Sequence, residues 1–149
     1  MPTDRTYDDD YATCVKTFAW FRVLSEGLEP DAVTALLGIP PSRVQRRGEL
    51  PRPKAKRPLE NGGWFLESAD HVESRDARRH LDWLLDRLRG KASSIAQLKD
   101  QGHRVDVCIR WDSVGHGGPT LDPRQMKELG ELDVELWFDV YFAGDDEPD

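Results

Sequence analysis

The sequence predicts an α+β fold, a two-layer sandwich with helices on one face of a mixed or antiparallel sheet. Three observations carry that reading. Long segments alternate apolar and polar residues, as strands with one buried face do. Between them lie segments whose apolar residues recur at spacings of three and four, the single stripe of a surface helix. The second face of the strands is mixed rather than apolar, which disfavours a doubly wound sheet covered on both sides. The order of elements fits a ferredoxin-like βαββαβ arrangement with an additional C-terminal helix–strand unit.

Residues 11–25 read as the first strand. Val15, Ala19, Phe21 and Val23 share one side, and Lys16, Phe18, Trp20 and Arg22 the other. Leu28-Glu29-Pro30-Asp31 opens a helix, since proline suits the first turn and acidic groups suit its positive end. Its stripe is Val33, Leu36 and Leu37; Gly38 and Pro40-Pro41 stop it. A short edge strand is expected within residues 42–48, and Trp64-Phe65-Leu66 marks another strand.

Ser74 is placed to cap a helix running to about Arg89, with Ala77, Leu81, Leu84, Leu85 and Leu88 as its buried stripe. Ser94-Ile95-Ala96-Gln97 fits a capping box opening a shorter helix. Residues 104–112 alternate again: Val105, Val107, Ile109 and Trp111 inward, Arg104, Asp106, Cys108, Arg110 and Asp112 outward. Leu121-Asp122-Pro123 starts a last helix with Met126 and Leu129 facing in. Its start echoes Leu28-Glu29-Pro30, through shared helix-start chemistry or an internal duplication. The final strand, LDVELWFDVYF, has Leu132, Val134, Leu136, Phe138, Val140 and Phe142 on one side and is expected to bury that row.

The 149 residues are read as a single domain over residues 11–142, between an acidic arm (1–10) and an acidic tail (143–149). A net charge of -7 argues against general nucleic-acid binding and suits a basic protein partner. The acidic start has no apolar run, and no stretch is apolar enough to span a bilayer, so neither a signal peptide nor a membrane partner is expected. Cys14 and Cys108 do not have metal-ligand spacing. They are read as reduced packing residues, able to meet across strands, in a cytoplasmic protein. No cofactor is expected.

A first strand, LEPDAVTALLGIPPSRVQRRGE, the strand GGWFLES, a leucine-rich helix and a last strand ending FDVYF together resemble a bacterial domain-of-unknown-function family, number 4279. The likeness runs over about residues 11–142. It is most specific at LLGIPPSR (residues 36–43), Gly48, Trp64 and Asp139-Val140-Tyr141. It implies a compact bacterial domain and transfers no activity.

Two groups of residues are candidate binding sites. If the long strands are neighbours, Trp20, Arg22, Arg110, Trp137, Asp139 and Tyr141 share the outward sheet face, where aromatics beside charges make a recognition surface. The simpler account is that the charges are cross-strand pairs, with Asp139 taken by Arg22, Arg104 or Arg110. The second group is a proline-rich basic loop over residues 43–58: Arg43, Arg46, Arg47, Arg52, Lys54, Lys56 and Arg57, with Glu49 alone opposing them. It suits phosphate or an acidic protein patch, or is a solvated insertion. The four histidines have no HxH or HExxH spacing, and no metal site or catalytic residue is assigned. A non-enzymatic protein-interaction module, of which an immunity-type antagonist of a basic toxin is an example, is the leading expectation. A small-ligand-binding or regulatory domain is the alternative, and a carboxylate enzyme ranks third.

Overall fold

A computed structural model describes residues 5–142. Nine elements follow in the order β1 (Cys14–Ser25), α1 (Pro30–Leu37), β2 (Arg43–Gln45), β3 (Gly62–Glu67), α2 (Ala77–Leu88), α3 (Ala92–Asp100), β4 (Arg104–Ser113), α4 (Pro123–Leu132) and β5 (Glu135–Phe142). The five strands form one mixed sheet in the order β2-β3-β1-β4-β5. β1 lies antiparallel between β3 and β4, and β2 is antiparallel to β3. α4 returns the chain so that β5 joins parallel to β4 at the far edge. The fold is α+β, as the alternating and helical periodicities require. No helix is long and apolar enough to cross a membrane.

The four helices bury one face of the sheet. Ala19, Phe21 and Val23 of β1, Trp64 and Leu66 of β3, and Val107, Ile109 and Trp111 of β4 meet Val33, Leu37, Leu81, Leu84, Leu85, Leu88, Ile95, Leu98 and Leu129 in one core. Trp64 lies fully inside and donates its indole N–H to Thr34 Oγ1 at 3.0 Å, so its polar atom is satisfied within the apolar layer.

The helix starts are built differently from their sequence expectations. Asp76, not Ser74, caps α2 by accepting the Arg78 N–H; the Ser74 hydroxyl goes instead to Asp9. α3 starts at Ala92, which puts Ser94 inside the helix, where its hydroxyl donates to the Leu36 carbonyl and ties α3 to α1. The capping box occurs at α4, between Asp122 and Gln125. Gln125 is buried and its amide reaches the Arg78 carbonyl and Asp82, so α4 is locked to α2.

Three further expectations are corrected. A register shift between Cys14 and Lys16 turns Cys14 inward and leaves Val15 48% exposed. Cys14 and Cys108 therefore lie on opposite faces of the sheet, both as buried free thiols, and do not meet. Residues 5–10 are not a free arm: Thr6, Asp8 and Asp10 are exposed, but the segment is tied to the rest of the fold. Arg5 pairs with Asp82 and Asp122, the Asp8 N–H donates to Asp76 at 2.7 Å, and Asp9 binds Arg79 at 2.8 Å. Tyr7 adds its hydroxyl to Asp82 and its ring beneath Arg79.

The third correction concerns β5. Its apolar row, from Leu132 to Phe142, is expected in the core, yet only Leu132, buried at the end of α4, and Val134 and Leu136, packed against the core, fulfil that. Phe138, Val140 and Phe142 are 45%, 45% and 57% exposed. The helical layer ends before it reaches that part of the edge strand. Met126 on α4, also expected inside, is exposed for the same reason: α4 buries only the side that faces α2 and α3.

Candidate functional site

The helix-free face is the one surface on which chemistry-bearing residues from every strand converge. The register sets them in rows. Arg43, Phe65, Arg22, Asp106 and Glu135 cross the sheet from β2 to β5. Glu67, Trp20, Cys108 and Trp137 form the next row, then Phe18, Arg110 and Asp139, then Lys16, Asp112 and Tyr141.

Aromatic rings and guanidinium groups interleave across these rows. Trp20 stacks on Phe65 with centroids 5.7 Å apart and meets Phe18 edge-on. Arg43 lies 4.2 Å over Phe65, Arg22 lies between Trp20 and Trp137 at 5.6 and 4.8 Å, and Arg110 lies 3.8 Å over Tyr141. Each contact is a cation over the negative face of a ring. Gly63 makes room for this arrangement. A Cβ there would come within 2.7 Å of the Phe65 ring, so only glycine lets the ring lean toward the start of its own strand.

Ion pairs hold the arginines in place. Arg22 binds Asp106 through two parallel hydrogen bonds, 2.8 and 2.9 Å, the fork geometry that suits a guanidinium. Arg104 adds a third contact to Asp106 at 3.2 Å. Burial disfavours the charge on Asp106, but the bonds from Arg22, aided by the charge of Arg104, outweigh it and hold the carboxyl below the ordinary range. The same bond raises the pKa of Arg22. Arg110 pairs with Asp112 at 2.8 Å, and Arg43 reaches Glu67 at 3.4 Å.

Asp139 is left out of this pairing. The sequence assigned it to an arginine, but Arg22 and Arg110 take Asp106 and Asp112 instead. Among the described residues neither Asp139 nor Glu135 has an ion pair within 4 Å; Asp139 receives only the Tyr141 hydroxyl at 3.3 Å. Two carboxylates thus stand beside Trp137 and Tyr141 without a direct ion pair, although the charge of Asp139 reaches Arg22 and Arg110 through space.

A scan against protein-family models matches residues 15–143 to a domain of unknown function, DUF4279. The chain belongs to the DUF4279 family. No curated protein and no solved structure matches it. The family description names no activity, so in this DUF4279 chain the residues alone speak for the site.

The six outward residues read from the sequence, Trp20, Arg22, Arg110, Trp137, Asp139 and Tyr141, are brought together on this face. Of the basic loop only Arg43 joins them, because it stands on β2. Arg46, Arg47, Arg52, Lys54, Lys56 and Arg57 are exposed in the segment beyond β2. That segment is pinned at its base, where the Gly48 N–H donates to Leu59 and the Leu59 N–H to Glu49. Phe65 and Cys108 were not read as site residues. Phe65 sits in an apolar run that hides which side chain turns outward. Cys108 lies at the centre of the face beneath the tryptophans of its row, and burial raises its thiol pKa.

Two other features of the molecule have the look of a site. Ser68 and His80 resemble a nucleophile and base, with Oγ 2.7 Å from Nδ1. Yet the His80 Nε2 lies 2.9 Å from the Ser74 carbonyl, which can only accept, so Nδ1 is the acceptor and Ser68 donates to it. The Ser68 oxygen also accepts the Ala19 N–H and has no exposed surface; the pair braces β1 against α2. A concavity of about 480 Å³, lined by Asp9, Lys16, Thr17, Glu73 and Arg75, opens to solvent. Among the described residues no cluster of His, Cys, Asp or Glu is arranged to hold a metal ion.

Proposed function

We propose that this chain is a non-enzymatic protein-interaction module whose helix-free sheet face receives a basic segment of a partner protein. The single observation that carries the reading is the charge arrangement of that face. Its arginines are consumed by Asp106, Asp112 and Glu67, while Glu135 and Asp139 stay unpaired next to Trp137 and Tyr141. Lysine or arginine side chains of a partner find there both a counter-charge and a ring to lie on.

The composition supports the same reading. Tryptophan, tyrosine and arginine dominate the energetics of protein interfaces because they bring large area with little rotamer entropy. Here they are already held by stacking and ion pairs, so little ordering cost remains at binding. The net charge of -7 steers a basic partner toward the chain. An immunity-type antagonist of a basic toxin in the cytoplasm is a role that such a face suits.

Site-specific photo-cross-linking in the producing cell tests the reading. A cross-linker replacing Tyr141 should yield one adduct with a different, basic protein, distinct in mass from two copies of this chain, and one replacing Ala96, exposed on α3, should yield none. Absence of an adduct from Tyr141, or equal labelling from both positions, contradicts it.

A further inference from the structure

We propose that β5 is the subunit interface of a homodimer, in which the free edges of two copies pair antiparallel about Phe138 and join the two sheets into one.

The two edges of the sheet are treated differently. β2 at one edge is three residues long, carries Arg43, and lies between Pro40-Pro41 and a loop rich in proline and basic residues. Short length, charge and proline are the usual protections of an edge against pairing. β5 at the other edge has eight residues, ELWFDVYF, without proline, glycine or lysine. It bonds to β4 on one side, and on its helix-facing side it exposes Phe138, Val140 and Phe142. Exposed edge backbone with an uncovered apolar row is a template for another strand.

The order of residues makes the strand its own complement. Centred on Phe138, antiparallel pairing sets Phe138 against Phe138, Leu136 against Val140, Trp137 against Asp139 and Glu135 against Tyr141. The apolar row then continues across the junction, and every carboxylate of β5 faces an aromatic ring. Centring on Trp137 sets Glu135 against Asp139, and centring on Asp139 sets that carboxylate against itself, both repulsive. Registers that shift by one residue place the apolar row beside the charged one.

In this arrangement both helical layers stand on the same side and both outward faces stay open. Tyr141 then lies opposite Glu135 of the second copy, so the mass of the Tyr141 adduct, two copies of this chain or one copy with a different protein, keeps the dimer and the partner reading distinguishable.

Sedimentation equilibrium on the full chain tests it. The wild-type protein should reach twice the 17.0 kDa chain mass with rising concentration. Phe138→Glu should stay at 17.0 kDa with an unchanged circular dichroism spectrum. Val140→Glu, at an equally exposed position, should dissociate the dimer in the same way and guards against a folding defect at Phe138. Mild oxidation should link two copies of Phe138→Cys and leave Val140→Cys unlinked, because only Phe138 meets itself. A wild-type monomer at every concentration, a dimer that survives both glutamates, or linkage of Val140→Cys as readily as Phe138→Cys overturns the proposal.

Discussion

The two faces of the sheet are built from the same strands by opposite means. On the helical side, Phe21, Trp64, Ile109 and Trp111 are closed off by leucines of four helices, and burial of apolar area holds the layer. On the open side no helix arrives. Order there comes from guanidinium groups set between rings and tied to Asp106 and Asp112. The first face stabilises the fold; the second holds a shaped, charged surface in front of solvent. Mutations should separate the two.

The largest effects belong to the helical face. Leu84→Ala, in the fully buried stripe of α2, should cost about 3 to 5 kcal/mol in urea unfolding, through lost transfer energy and the cavity left behind. A smaller loss refutes the assignment of α2 as the centre of that layer. Asp106→Ala should cost about 2 to 3 kcal/mol, because it strands a mostly buried guanidinium. Combined with Arg22→Ala, the total should fall short of the sum of the singles, since one interaction is removed twice. Additive losses contradict the pairing.

Acid should act on both layers. Asp106, Asp76 and Asp9 have folded pKa values below their unfolded ones, so the folded state binds fewer protons as pH drops. Their stabilisation is complete above the unfolded value, about 3.9, and is lost as pH falls through the folded values. His80 is held neutral by burial, so its folded pKa is also lowered. Stability should therefore start to decline below about pH 6.5, where the unfolded chain takes up that proton first. Urea midpoints measured against pH check both windows, and His80→Gln should remove the upper decline. The smallest effect is Arg43→Ala, at most about 0.5 kcal/mol, because its stack on Phe65 is largely solvated.

Much of the sheet is legible in the sequence. The parity of β1 and β4 separates Phe21, Val23, Val107 and Ile109 from Trp20, Arg22 and Arg110, because side chains alternate with a period of two. Parity tells which side of a strand is apolar. It does not tell whether a helix lies over it, and this is why Phe138, Val140 and Phe142 were expected inside. The bulge that exposes Val15 depends on pairing with β4 and leaves no local signal. The contacts of the N-terminal segment, Arg5 with Asp82 and Asp9 with Arg79, join residues far apart in sequence and are set by where α2 lies. The six outward site residues could be gathered by parity alone. Which carboxylates the arginines take could not, because that depends on register: Arg22 lies opposite Asp106, and Arg110 turns to Asp112 of its own strand.

The most direct test of the recognition face is the double substitution Glu135→Gln and Asp139→Asn, which removes two charges and changes little volume. The two faces divide their work if urea stability stays within about 0.5 kcal/mol of wild type, as for surface changes, while the protein cross-linked from Tyr141 is no longer retained. Retention of that protein by the double variant contradicts the account.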